Sequence, residues 1–372
     1  MEHLYELRKK LHRTPEIAFQ EFKTQQIIID ELDAYKELKL IKFEPTGLLF
    51  EYTQGEGDYL LFRADMDALP IQENTGCDFQ SENECVFHAC GHDIHMTALV
   101  GLIHHVLENK LQMNLLFFFQ PAEEGHGGAM RIIETGIFQQ YKIKSAYALH
   151  VTSAYPTGSI GVKSGIIFGI PQEFDIEFIG KSGHVSTPQK GRDAFCAAIS
   201  YYEAMKKMIV LRFPAQEPVL FHIGKASAGS VRNIIPEYCK LEGTFRCLNN
   251  DVREGIITLM NTVAKSFENS HEVDVKISLL SSYEPVVNDE YLTNKLIEHL
   301  PTNVGVIYVD YSMTGEDFGF FSGMYPSVLF WLGTNSNGDL HSNNFLPDKK
   351  SIDVAIEVYK SILNSYLSHE DK

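Results

Sequence analysis

The apolar positions of the first 170 residues predict strands that alternate with helices. "YLLFRAD" (59–65), "NLLFFFQ" (114–120) and "SAYALH" (145–150) are short, nearly continuous apolar runs, which are typical of strands buried on both faces of a sheet. Between the first two runs, residues 95–110 carry apolar side chains three and four positions apart, as an amphipathic helix does. The pattern indicates an α/β domain, a mixed sheet with helices on both faces.

The pattern changes near residue 170. "EFDIEFIGKSGH" (173–184) alternates apolar and polar residues, as a half-exposed antiparallel strand does. The elements that follow predict the order β-α-β-β-α-β, which is that of a ferredoxin-like α+β domain. We therefore expect this domain, residues 170–281, to be inserted into a catalytic domain formed by residues 1–169 and 282–372.

Composition and charge narrow the class of protein. The 372 residues include 32 basic and 49 acidic side chains, a formal net charge of −17. Because so acidic a surface repels phosphate backbones, nucleic acid is excluded as a partner, whereas a cationic or zwitterionic small molecule is not. The N-terminus lacks the apolar core of a signal peptide, and no run is long enough for a transmembrane helix. With six cysteines and no disulfide framework, we expect a soluble cytoplasmic protein without a membrane partner.

Metal-ligand types are concentrated in "FHACGHDIH" (87–95), which contains Cys90 and His92. A thiolate and an imidazole are good ligands for zinc and related divalent cations. Two other interpretations remain open: the pair is merely packed at a helix start, or Cys90 is a nucleophile activated by a histidine.

A pair of carboxylates follows the next buried strand. Glu123 and Glu124 in "PAEE" lie at its carboxyl end, where α/β folds place their sites. Neighbouring carboxylates in a low dielectric repel each other unless one binds a dication and the other serves as a general base for water. An exposed acidic turn is the alternative. Asp65, Cys90 and His150 also fall at predicted strand ends, and we therefore expect them on the same edge of the sheet.

Nine motifs follow one another along the chain: "RADMDALP", "HACGHDIH", "FQPAEEGHGG", "ALH", "GKSGHVSTP", "VRNIIPE", "EGTFRC", "MTGEDF" and "GDLHSNNF". In sequence and in order they resemble those of the M20 family of metallopeptidases and amidohydrolases. They resemble its cysteine-containing branch of aminoacylases, hippurate hydrolases and N-acetyl-amino-acid deacetylases, and within it the bacterial deacetylases of lysine biosynthesis.

The resemblance implies a two-metal hydrolytic site. Glu123 would be the general base, and Asp65 would orient a ligand histidine, with Asp67 as the competing candidate for that role. The two divalent ions would be zinc, manganese, cobalt or nickel. The implied ligands are Cys90, His92, Glu124, His150 and His341.

The resemblance also assigns a role to the inserted domain, as a lid and dimerisation domain. His184 would stabilise the oxyanion, and Asn233 and Arg246 would bind the substrate. Where the family commonly has "GxGGH", this chain reads "GKSGH", with Ser182 in place of a glycine. A homodimer is expected on the same ground.

The reaction that the resemblance implies is metal-dependent hydrolysis of an N-acetyl amide, with N-acetyl-L,L-diaminopimelate as the expected small-molecule substrate and L,L-diaminopimelate and acetate as the products. A general aminoacylase or hippurate-type amidohydrolase is the alternative within the family. A cysteine-nucleophile hydrolase is a further alternative, and it would be insensitive to chelators. A non-enzymatic metal-binding protein would not need Glu123.

Overall fold

The computed structural model describes residues 1–367, apart from the side chain of His126. The chain forms two compact units. The first comprises Met1–Ile167, Val286–Tyr311 and the chain from Asp317 onward, and the second comprises Phe168–Pro285 and Ser312–Glu316. The predicted limits of the inserted domain, residues 170 and 281, stay a prediction. No pattern in the sequence indicated that Ser312–Glu316 belongs with the second unit.

Helices and strands are numbered along the whole chain. The helices are α1 Glu2–Arg13, α2 Phe22–Leu32, α3 His92–Glu108, α4 Glu123–His126, α5 Gly128–Ile133, α6 Ala194–Arg212, α7 Asn250–His271, α8 Glu290–His299, α9 Gly319–Ser322 and α10 Lys350–Leu367. The strands of the first unit are β1 Leu38–Lys42, β2 Leu48–Thr53, β3 Tyr59–Asp65, β4 Asn114–Gln120, β5 Ile143–Thr152, β6 Ser159–Val162, β7 Gly165–Phe168, β14 Val286–Asn288, β15 Gly305–Tyr308 and β16 Ser327–Gly333. The strands of the second unit are β8 Ile170–Ile179, β9 Gly183–His184, β10 Leu220–Ala228, β11 Ile234–Ile235, β12 Tyr238–Cys247 and β13 Asp274–Ser282.

The first unit is built on a mixed sheet in the order β1-β2-β4-β3-β5-β16-β6-β15. Its centre is parallel, because β3 pairs in parallel with β4 and β5, and β16 pairs in parallel with β5. β4 is buried along its whole length, as expected of a strand covered on both faces. The predicted mixed α/β fold is confirmed. The carboxyl ends of β3, β4 and β5 lie side by side at one edge of the sheet, where the candidate site is found.

Helix α3 is buried nearly all round rather than on one stripe. Its apolar side chains share one core with those of α1, α10 and the central strands. It begins at His92, not near residue 95 as the sequence predicted, because Gly91 in the left-handed conformation (φ 75°) turns the chain directly into it. The helix therefore begins inside the ligand-rich segment.

The second unit has a four-stranded antiparallel sheet in the order β10-β12-β8-β13. Its chain order, β8-α6-β10-β12-α7-β13, is the predicted β-α-β-β-α-β pattern, and this sheet order is that of a ferredoxin-like fold. Asp193 and Asn249 cap α6 and α7 by accepting hydrogen bonds from backbone N–H groups of the first turn. Apolar side chains of both helices form a core against one face of the sheet.

The sequence "GGAMRIIETGIF" (127–138) predicts a single helix after β4, and the structure differs from this prediction. The chain forms α5 and then a 3₁₀ turn at Ile137–Gln140, separated by Gly136 with φ 76°. Gly128 opens α5 and donates its N–H to the carbonyl oxygen of Ala122. A Cβ at Gly128 would lie 1.8 Å from the carbonyl oxygen of Pro121, so the turn that carries Glu123 needs glycine here.

We expect Gly128→Ala to lower the free energy of unfolding by about 1–3 kcal/mol, the usual cost of overpacking. Gly305→Ala is the matched control, because a Cβ there finds no heavy atom of the described residues nearer than 3.5 Å. Urea denaturation of both variants measures the difference. Equal losses of stability in the two variants would contradict the stated role of Gly128.

Candidate metal centre

Cys90 lies at the centre of the candidate site. It is 5% exposed, and its Sγ lies 3.4 Å from Nε2 of His150 and 3.3 Å from Nε2 of His341. A Cβ at Gly91 would lie 2.5 Å from Cγ2 of Val151, so glycine permits the close approach of this turn to β5. The thiol thus has one imidazole from β5 and another from a distant loop.

Two groups of potential ligands share Cys90. The first consists of Cys90, His92 and His150, and the second of Cys90, Glu124 and His341, with the ligand atoms of each group within 4.8 Å of one another. Nε2 of His341 also lies 3.3 Å from Oε1 of Glu124. A sulfur common to two ligand groups is the arrangement in which a thiolate can bridge two cations.

A tight turn places both glutamates at the site. Ala122 is left-handed (φ 54°), so the chain reverses after β4. Its N–H donates to Oε1 of Glu21, and the N–H of Glu124 donates to Oδ2 of Asp67. The carboxylates of Glu123 and Glu124 lie with His92 in a third group of closely spaced ligand atoms. These contacts bring both carboxylates close to the segment of Cys90 and His92, at the edge of the sheet where the sequence predicts them.

His341 comes from the loop after β16 and is half-exposed. Its backbone is left-handed (φ 64°), and its N–H donates to the carbonyl oxygen of Ala89 at 2.9 Å. This hydrogen bond fixes His341 beside Cys90 although 251 residues separate them. His150, in contrast, is held by β5, and its Nδ1 donates to the carbonyl oxygen of Val151. Nε2 of His150 is thereby left as an acceptor facing the thiol.

Asp67 fixes the orientation of His92. Nδ1 of His92 donates to the carbonyl oxygen of Asp67 at 2.8 Å and lies 3.4 Å from its Oδ1. Nε2 of His92 is buried and has no hydrogen-bond partner within residues 1–367. Such an orphaned nitrogen, directed at a thiol and carboxylates, fits a metal ligand whose other nitrogen is held by a carboxylate or carbonyl.

Asp65 makes different contacts from Asp67. Its Oδ1 accepts from Nδ1 of His95 at 2.5 Å, and its Oδ2 accepts from Arg63 at 2.7 Å. Nε2 of His95 accepts the N–H of Val151, so both ring nitrogens of His95 are occupied, in keeping with its omission from the expected ligands. Asp65 approaches His92 only at 3.7 Å, at Nε2. Nδ1 of His92, the outer nitrogen that points away from the ligand cluster, is therefore contacted by Asp67. That Asp65 orients a ligand histidine stays a prediction.

The buried charges of the site shift its protonation states. Burial and the nearby Glu124 and Glu123 raise the pKa of the Cys90 thiol well above its ordinary value. Burial lowers the pKa of His150 to about 4, so that ring is neutral at physiological pH. Burial also opposes charge on His92, but Asp65 and Asp67 outweigh it and raise its pKa to about 10. A cation at this position would replace protons on His92 and on the thiol.

The donor set fits divalent cations. A thiolate, imidazoles and a carboxylate together favour zinc-like metals over calcium or magnesium. The orphaned Nε2 of His92 and the two ligand groups that share Cys90 support the same fit.

Arg63 is a residue of the site that the motifs did not single out. It is buried, and its Nε, Nη1 and Nη2 donate to Gln120, Asp65 and Asp317 respectively. Asp317 also accepts the N–H of Ala129. Arg63 thus joins β3, β4 and the loop before α9, and its single positive charge is shared by two buried aspartates. Two signals were available: a charged residue inside the apolar run "YLLFRAD", and the position of Arg63 at the start of the motif "RADMDALP".

The predicted substrate residues lie in the second unit. His184 is exposed on β9, and its Nδ1 pairs with Oγ of Ser186 at 2.7 Å. Asn233 is exposed, and its carbonyl oxygen accepts the N–H of Val185. Arg246, on β12, is half-buried and donates from Nη1 to the carbonyl oxygen of Met313. Their roles in substrate binding stay predictions.

Comparison with known sequences identifies relatives along almost the whole chain. The profile of Peptidase family M20/M25/M40 matches residues 61–365. The N-acetyldiaminopimelate deacetylase of Anoxybacillus flavithermus (strain DSM 21510 / WK1) is 37% identical over 356 residues, covering 95% of this chain and 94% of the relative. The enzyme of the same name from Bacillus subtilis (strain 168) is 35% identical over 370 residues, covering 98% and 99%.

Solved structures share the fold of both units. An aminohydrolase from methicillin-resistant Staphylococcus aureus has a TM-score of 0.93 at 26% identity, covering 98% of this chain and 96% of the other. The YxeP protein of Bacillus subtilis, described as a dinuclear metal-binding peptidase of the M20 family, has a TM-score of 0.85 at 26% identity, covering 98% of each chain. Among the helices of residues 1–367, none is long and apolar enough to cross a membrane.

Substitution of the two aspartates separates their roles. We expect Asp67→Asn to weaken metal binding by about tenfold, because it removes the negative charge 3.4 Å from Nδ1 of His92 and keeps the hydrogen bond to the backbone carbonyl of residue 67. Asp65→Asn should instead destabilise the metal-free fold by about 3–5 kcal/mol, because it breaks a buried pair with Arg63. Chelator competition measures the first effect, and urea denaturation of the metal-free protein measures the second. A reversed result would assign the orientation of His92 to Asp65.

Proposed function

Because the chain belongs to peptidase family M20/M25/M40, we propose that it is a metal-dependent amidohydrolase that converts N-acetyl-L,L-diaminopimelate to L,L-diaminopimelate and acetate. The observation that carries this proposal is the match, at 34–37% identity over nearly the full length, to relatives named N-acetyldiaminopimelate deacetylase. The position of Glu123 beside a ligand cluster supports the chemistry. The product is a lysine precursor, so the proposal places the chain in lysine biosynthesis.

We propose that the cluster would hold two divalent cations, with Cys90 belonging to both groups of potential ligands. When bound, such a pair supplies Lewis-acid polarisation of an acyl carbonyl and makes water more acidic. The proposed ions are zinc, manganese, cobalt or nickel, and among them the soft sulfur favours zinc over manganese, which prefers oxygen ligands. The proposed ligands are Cys90, His92, Glu124, His150 and His341.

Glu123 is the proposed general base. It follows Ala122 on the same turn as Glu124, is 5% exposed, and its carboxylate lies within the group formed with His92 and Glu124. It would take a proton from the attacking water as the new C–O bond forms, and it would return that proton to the amine nitrogen as the C–N bond breaks. Acetate and a free amine are then the products, with no other reactant consumed.

The proposed substrate contacts rest on side-chain chemistry. The guanidinium of Arg246 suits a substrate carboxylate, because it donates two parallel hydrogen bonds. His184 and Asn233 can donate hydrogen bonds to an acyl oxygen that gains negative charge during the reaction. We also propose a homodimer, which sedimentation of the purified protein would test.

The electrostatics of Cys90 disfavour the alternative of a cysteine nucleophile. A nucleophilic cysteine needs a lowered pKa, usually from a nearby cation or histidinium. Here burial and two glutamates raise the pKa of the thiol. A general aminoacylase or hippurate-type hydrolase would use the same centre, so only a substrate panel separates it from the proposed deacetylase.

The panel compares acetate release from N-acetyl-L,L-diaminopimelate with the hydrolysis of N-acetylmethionine and hippurate. We expect preference for the diaminopimelate derivative, loss of activity in EDTA with recovery on added zinc, and a fall of at least about 100-fold in Glu123→Gln, because the base is lost. Glu134→Gln, at an exposed glutamate, is the control and should retain wild-type activity.

The outcomes are separable. A broad or hippurate preference, with chelator sensitivity retained, would keep the mechanism and change the substrate. Activity that survives both EDTA and Glu123→Gln would contradict the two-metal mechanism and favour Cys90 as a nucleophile.

A further inference from the structure

A second cluster of potential metal ligands lies outside the site described above. It consists of His12 near the end of α1, and of Glu73 and Cys77 in the segment between β3 and α3. Their ligand atoms lie within 4.8 Å of one another, and the side chains of His12 and Glu73 are only 1% and 2% exposed. The proposed hydrolysis uses none of the three residues.

Two distances that involve Oε1 of Glu73 are close to those of a tetrahedral metal site. Nε2 of His12 lies 3.2 Å from Oε1 of Glu73, and Sγ of Cys77 lies 3.8 Å from the same oxygen. Zinc bonds of about 2.0–2.1 Å to nitrogen or oxygen and about 2.3 Å to sulfur place tetrahedral ligands roughly 3.3–3.7 Å apart. These two distances need shifts of only a few tenths of an ångström to fit a cation, and the third, between His12 and Cys77, is within 4.8 Å.

His12 is held in the way that a metal-bound histidine usually is. Its Nδ1 lies 2.9 Å from Oδ2 of Asp93, so Nε2 is the nitrogen directed at Glu73 and Cys77. A carboxylate behind the outer nitrogen fixes the ring and strengthens it as a ligand. Arg8 donates from Nε to the same oxygen of Asp93 at 3.0 Å, so the charge of this carboxylate is already balanced from the other side.

We propose that His12, Glu73 and Cys77 bind an additional divalent cation of the zinc class, separate from the Cys90 centre. One thiolate and one carboxylate balance the two positive charges of the ion, and a neutral imidazole completes the three ligands. The sulfur and nitrogen donors select zinc-like metals over calcium and magnesium. Cys77 is only half-buried, so water can occupy a fourth position. Binding releases protons from the thiol and from His12.

The additional ion would act as a structural cross-link. It would join α1 to a segment 61 residues further along the chain. Glu73 already organises this segment, because its carboxylate accepts hydrogen bonds from the N–H of Ser81 and the hydroxyl of Thr75. The N–H of Asn74 donates to the carbonyl oxygen of Asn343, in the loop of His341. The energy of metal binding at His12, Glu73 and Cys77 would thus stabilise the folded state.

The competing interpretation is a hydrogen-bonded cluster without a metal. In it, His12 is protonated on both ring nitrogens and donates hydrogen bonds to Glu73 and Asp93. The two interpretations differ in the state of Cys77, since a metal-bound sulfur is not available to an alkylating reagent and a free thiol is. Cys85 belongs to the same segment, is exposed and lies outside the cluster. It therefore serves as an internal control.

The first experiment alkylates the chelator-treated, full-length protein with iodoacetamide, with and without added zinc ions, and follows each cysteine by peptide mass spectrometry. We expect zinc to slow the labelling of Cys77 by about tenfold or more, with reversal by EDTA, and to leave Cys85 unchanged. Equal labelling of Cys77 with and without zinc would overturn the proposal. The measurement needs no variant and does not depend on the reaction that the protein catalyses.

The second experiment counts bound metal by elemental analysis after zinc loading and gel filtration. We expect Cys77→Ser to hold one ion fewer per chain than the wild type, and Cys85→Ser to hold the wild-type number. Deacetylation should persist in Cys77→Ser, because the Cys90 centre is intact. An unchanged metal content in Cys77→Ser would overturn the additional site without affecting the proposed function. A wild-type protein that does not release acetate, but loses one ion in Cys77→Ser, would contradict the proposed function and support the additional site.

Discussion

Several acidic groups and a thiol are buried together at one edge of the sheet. The rest of the structure has to compensate the electrostatic free energy that this burial costs. Asp65, Asp67 and Glu123 are all at most 5% exposed, and Cys90 lies among them. Uncompensated charges in such a place are strongly destabilising. Arg63 balances part of this charge through Asp65 and Asp317. For the rest, histidine protons or divalent cations are needed, and this requirement connects the fold to the proposed chemistry.

Local backbone geometry brings these groups together at the edge of a rigid sheet. Gly91, Ala122 and His341 are all left-handed, and each lies where the chain turns toward the cluster. For Gly91 the constraint is steric, because Val151 leaves no room for a Cβ. For Ala122 and His341, hydrogen bonds to Glu21 and Ala89 hold the unusual conformation. Such strained positions are stable only where the surroundings over-determine them, and they are common at functional sites.

Much of this arrangement could be predicted from the sequence, because continuous apolar runs mark the central strands and the potential ligands follow their ends. What the sequence could not provide were contacts that depend on tertiary folding. Arg63 meets Asp317 across 254 residues, and no local pattern reports such a pair. The choice between Asp65 and Asp67 also needed coordinates, since both follow the same strand and only their contacts to His92 and His95 distinguish them. The early start of α3 depended on one left-handed glycine.

The central claim is that Cys90 bridges two cations at this edge. Anomalous diffraction at the zinc absorption edge, from crystals of the zinc-loaded protein, tests it most directly. The account requires two peaks about 3.5–4 Å apart, the usual separation in two-metal sites, with Sγ of Cys90 bonded to both and His92, Glu124, His150 and His341 distributed between them. A single peak at this edge, or two peaks of which only one contacts Cys90, would contradict it.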